Sequence, residues 1–108
     1  MRETKPCELE KTMADAISAA PDTYTVLEEN DRVRILMYDG GVGPASPMHS
    51  HPDLVAITIT DSHVRFTAED GESMDLNLPA GAAMFDSAKS HSTEVLSGHS
   101  KVILVELK

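Results

Sequence analysis

The sequence predicts an all-β barrel or sandwich preceded by one short helix. Three observations carry this. Beyond Pro21 the apolar residues recur with a period near two, the period of a half-buried strand. Clusters of Gly, Pro, Asn, Asp and Ser punctuate these runs at short intervals. No helical stretch separates one run from the next, so nothing implies βαβ units.

The elements follow in order. "ELEKTMADAISAA" places Leu9, Met13 and Ile17 four residues apart, a helical stripe that Pro21 stops. Residues 1–21 are therefore expected as a helical extension and residues 22–108 as the barrel. "TYTVLEE" and "VRILMY" flank "NDR" and read as a hairpin, with Val33, Ile35 and Met37 sharing one face. "GGVGPASP" is a loop by its Gly and Pro content. "LVAITIT", "HVRFTA", "SMDLNL", "AAMF", "STEVL" and "KVILVEL" complete the strands. Turns are expected at "TDS", "EDG", "LPAG" and "SGHS", with Asp70-Gly71 the strongest hairpin signal.

Composition narrows the function classes. A chain of 108 residues can bury one core. Its formal net charge of −9 disfavours nucleic acid and anionic membrane surfaces, which select for Lys and Arg. Cys7 is the single cysteine, so no intramolecular disulfide forms, which suits a reducing cytoplasm. "MRETKPCELEK" lacks the apolar core of a signal peptide, and no run of about 18 apolar residues exists to span a membrane.

"PMHSHP" carries the chemistry. Residues i and i+2 of a strand share a face, with Cα atoms roughly 6.5 Å apart. His49 and His51 can therefore converge on one ion, whose nitrogen ligands lie about 2.0–2.1 Å away for zinc. The flanking Pro47 and Pro52 limit ladder pairing and suit a strand end at a barrel mouth. Carried on, the same parity makes Val55 and Ile57 pocket-lining, with Ile59 beyond them. A third ligand must come from another strand. His63 and His99 lie in turn segments and are expected in solvent, while His91 opens the "HSTEVL" strand and is the best candidate. The alternative is a set of polar loop histidines, and spacing alone leaves both readings open. Asp53 shares the parity of the pair but reads better as a turn residue, and Glu94 points away from His91.

"GPASPMHSHPDLVAITITDSHVRF" and "LPAGAAMFDSAKSHSTEVL" together resemble the small single-domain cupins, from about Tyr24 to the C-terminus. Gly43, His49 and His51 match the first cupin motif, and Gly81 and His91 match the second. Val55 stands in the slot of the first-motif glutamate, Ser62 in that of its closing glycine, and Val95 in that of the terminal asparagine of the second. The resemblance implies a jelly-roll barrel and a ligand set reduced to His49, His51 and His91. Three-histidine cupins include thiol dioxygenases and a diketone-cleaving dioxygenase. The cofactor implied is a divalent metal ion, with Fe, Zn, Ni or Mn all compatible. The function implied is a metal-dependent dioxygenase acting on a small organic acid or dicarbonyl. The alternative is a non-catalytic cupin that binds or senses a small molecule. A homodimer is expected, covering the strand edges of "TYTVLEE" or "KVILVEL".

Overall fold

A computed structural model describes residues 15–108. The chain forms one short helix, α1 (Ala16–Ala19), and eight strands: β1 (Tyr24–Glu29), β2 (Val33–Gly41), β3 (His49–His51), β4 (Leu54–Thr58), β5 (Ser62–Ala68), β6 (Ser73–Leu78), β7 (Ala83–Asp86) and β8 (Lys89–Leu107). Every strand pairing is antiparallel. Asp15 caps α1 by accepting a hydrogen bond from the Ser18 N–H at 3.0 Å. Leu9 and Met13 of the expected helical stripe lie outside the described residues. Ile17 packs against the core.

β8 organises the rest. Its first half pairs with β3 and β5, and β6 extends that sheet beyond β5. Its second half lies between β2 and β4, giving a second sheet in the order β1-β2-β8-β4-β7. "SGHS" was expected as a turn between two strands; the chain instead runs through it as one 19-residue strand that changes sheets. Gly98 makes this corner, with φ at 79°. An added Cβ would sit 3.0 Å from the Asp61 carbonyl oxygen, so both conformation and space favour glycine. Composition suggested a turn there because a corner and a hairpin use the same small residues. Only the partner strands distinguish them.

The two sheets share one core. Leu36, Leu54, Val102 and Leu104 come from one sheet, and Val64, Leu78 and Val95 from the other. The inward face of β2 carries Arg34, Leu36 and Tyr38, paired with Glu106, Leu104 and Val102 of β8. Val33, Ile35 and Met37 share the opposite, half-buried face. The β5–β6 hairpin turns at Asp70-Gly71 as expected, with Gly71 at φ 91° and the Asp70 carboxylate accepting from the Glu72 N–H at 2.9 Å. Among the described residues no helix is long and apolar enough to cross a membrane.

Candidate metal centre

β3 is three residues long, and its register builds the site. His49 pairs directly with His91 of β8, and His51 pairs with Lys89. His49 and His51 share a face by strand parity, and His91 joins them by standing opposite His49. The three rings form a triangle with centroids 4.9, 4.9 and 5.1 Å apart. One potential ligand atom from each lies within 4.8 Å of the others. Three nitrogens about 2.1 Å from a common ion lie about 3.0–3.6 Å apart, so closing on one requires each ring to shift by about 1 Å or less.

Each ring is held by its surroundings. The Nδ1–H of His49 donates to the Pro47 carbonyl at 2.8 Å, which leaves Nε2 with its lone pair. That lone pair accepts the Tyr24 hydroxyl at 3.1 Å. The Nδ1–H of His51 donates to Glu106 Oε2 at 2.7 Å. The His91 ring stacks on Phe66, at 5.0 Å and 4° between planes. His91 Nε2 is buried and has no hydrogen-bond partner.

Behind His51 stands a charged chain. Glu106 is 2% exposed, and its Oε1 accepts from Arg34 Nε at 3.0 Å and Nη2 at 2.9 Å. Arg34 Nη1 reaches Asp15 Oδ2 at 3.0 Å. Burial acts to raise the Glu106 pKa, but the hydrogen bonds from His51 and Arg34 outweigh it and hold the carboxyl below its usual range. Burial, and then the neighbouring histidines and Lys89, push the His91 imidazole down to about 3. Burial lowers His49 as well. His49 and His91 are thus neutral near pH 7, the state in which imidazole binds a metal. A buried nitrogen without a partner, facing two histidines whose protons are directed away from Nε2, fits a divalent transition metal.

His51 and His91 line a cavity of about 600 Å³ between the sheets, with His49 buried behind them. Its β4 wall is Leu54, Ala56 and Thr58, not the expected Val55 and Ile57. The alternation that begins at His49 and His51 does not continue through Pro52 and Asp53, which separate β3 from β4. Inward parity resumes at Leu54, and Val55 and Ile57 lie half-buried on the other face. Val55 therefore does not point toward the histidines. The carboxylate beside them comes from Glu106 at the far end of the chain. Asp53 is a turn residue whose Oδ1 accepts from the Ala88 N–H at 2.8 Å. Glu94 lies 4.0 Å from Arg65 and is not part of the cavity wall. His63 is exposed, and His99, beside Asp39, is exposed too.

Glu106, Arg34, Tyr24 and Phe66 were not read as site residues. A signal existed for two of them. Glu106 follows Val102 and Leu104 in the inward phase of its strand, and Arg34 precedes Leu36 and Tyr38 in the same way. An acid and a base each occupying a core position on separate strands is the pattern of a buried ion pair.

No family model matches the chain, and no curated protein matches it in sequence. Solved structures do. A cupin domain from Bordetella pertussis Tohama I is 19% identical, with a TM-score of 0.69 over 79% of this chain and 91% of that one. A cupin-2 domain containing protein from Shewanella frigidimarina is 14% identical, with a TM-score of 0.57 over 92% and 99%. Fe(II)-HppE, with an alternative substrate, is 20% identical and has a TM-score of 0.60 over 77% of this chain and 48% of its own. The chain thus spans about half of HppE. At these identities the likeness is one of fold: this is a cupin-fold protein with three clustered histidines, two of which line its cavity.

Proposed function

We propose that His49, His51 and His91 hold one divalent transition-metal ion, and that the protein is a dioxygenase for a small organic acid or dicarbonyl. The observation that carries the metal reading is the buried, partnerless Nε2 of His91 beside two other histidines. Bound there, the ion would supply Lewis-acid and redox chemistry with coordination positions left for substrate and O₂. The chain's own residues do the rest. Glu106 and the Pro47 carbonyl keep protons on Nδ1 of His51 and His49. Phe66 fixes the plane of His91. Apolar walls line the body of the cavity beyond the histidines. The iron(II) in the name of the structurally similar HppE supports iron as the ion.

A second reading is a binding or sensing protein without turnover. It draws support from the carboxylates of the cavity wall. Asp86 is engaged with Lys89 at 2.6 Å, and Glu72 is exposed, so neither is an obvious general base. Oxygen uptake by iron-loaded protein across a panel of organic acids and β-dicarbonyls separates the two. Substrate-dependent uptake is expected. Metal binding with no uptake across the panel would favour the binding reading.

A further inference from the structure

The cavity is long, and its chemistry is uneven. Its β4 wall runs from Leu54, paired with Glu106 behind the histidines, to Thr58. Those four residue steps span about 13 Å. The walls along this path include Leu54, Ala56, Val64, Leu76, Leu78 and Leu104. Thr58, at the far end, is already committed: its hydroxyl donates to the Pro79 carbonyl and accepts from the Ala82 N–H at 3.1 Å. Among the described residues Lys89 is the one lysine or arginine in the wall, and Asp86 engages it. It lies opposite His51, so it belongs to the histidine end. At the mouth, Met74 and Phe85 are 59% and 62% exposed and continue the apolar surface outward.

We infer that the ligand of this centre is amphipathic, with a carboxylate or other chelating oxygen head at the histidines and an extended hydrocarbon body along the cavity. This rests on the metal reading above for the head and on the cavity walls for the body. A volume of about 600 Å³ exceeds the needs of a two- or three-carbon acid and lies within the usual range for pockets that enclose whole organic ligands. Ser100 Oγ, buried in the wall without a partner, could pair with one hydroxyl, but a polyhydroxylated acid of similar length would leave its others unpaired against leucine and valine. Among the described residues a second anionic group would find no lysine or arginine deep in the wall.

The test is calorimetric titration of the full chain with straight-chain α-oxo acids, from butanoate to dodecanoate, and with gluconate. It is run anaerobically on iron(II)-loaded protein and again on chelator-treated protein. Affinity should rise about fourfold per added methylene until the cavity is filled. That slope should appear in both forms, with tighter binding in the loaded one, and gluconate should bind weakest. Ala56 lies midway along the wall, so Ala56→Phe should move the break to shorter chains with metal content unchanged. Should that variant fold poorly, Leu78→Ala should move the break to longer chains. A flat chain-length dependence, or gluconate binding better than octanoate-length acids, would overturn the inference. A steep dependence in protein that takes up no metal would uphold the hydrocarbon body and refute the metal-held head. The two failures are thus read separately.

Discussion

At the scale of single residues, the site depends on which nitrogen of each histidine carries the proton. His51 presents Nε2 inward because Glu106 holds its other nitrogen, and Arg34 in turn keeps that carboxylate ionised. Glu106→Gln preserves an acceptor for His51 but loses the charge facing Arg34. Metal affinity should fall by about 10- to 100-fold, the usual effect of losing such an outer partner. A competition titration with a fluorescent chelator measures it; unchanged affinity would show that Glu106 serves the fold alone. His63, exposed on β5, is the matching control, and His63→Gln should leave the titration unaltered.

The pH dependence also belongs to residues. His91 is held near 3 in the fold, against an ordinary histidine value near 6.5 in the unfolded chain. Between those values the unfolded chain takes up a proton that the folded one excludes. Lowering pH through this window therefore destabilises the metal-free protein. Glu106 acts in the same direction, since its lowered pKa contributes stability that is lost on protonation in acid. Melting temperatures of chelated protein should drop from about pH 6.5 downward, and less steeply for His91→Gln. A flat profile across that range would contradict the burial of a neutral His91.

At the scale of elements, register decides where each side chain points. His49 and His51 were legible because both lie within one short strand, where a period of two holds. His91 was legible from its place at the start of a strand and from the second cupin motif. Val55 and Ile57 were misplaced because parity was carried across Pro52 and Asp53, where the strand is interrupted. Val55→Glu tests this directly. With Val55 on the outer face, the new carboxylate should add nothing to metal affinity; a tighter site would restore the uninterrupted register. The corner of β8 gives a second test. Gly98→Ala forces a side chain into a left-handed conformation 3.0 Å from a carbonyl oxygen. It should cost about 1–3 kcal/mol in a denaturant melt. A loss near zero would show that β8 can turn without glycine there.

At the scale of the whole molecule, the all-β class was legible from periodicity and punctuation, whereas the pairing of distant strands was not. β8 joins the two sheets, and its second half lies between β2 and β4. "KVILVEL" is therefore not an exposed edge. β1 is, with Val26 and Leu27 largely exposed. We propose that the homodimer expected from the sequence uses this edge. Light scattering should give twice the chain mass for the parent and a shift toward monomer for Val26→Lys. A monomeric parent would refute it. The core of Leu, Val and Tyr from both sheets should fold without metal, so chelation should lower the melting temperature without unfolding the protein at room temperature.

Three histidines, from β3 and β8, are proposed to hold one metal ion. Elemental analysis of protein purified without a histidine tag tests it most directly. The parent and His91→Ala are each dialysed against iron(II) under anaerobic conditions and freed of excess. Close to one bound ion per chain is expected for the parent and little or none for His91→Ala, with both proteins folded. A parent without metal, or a folded His91→Ala variant that retains as much as the parent, would contradict it.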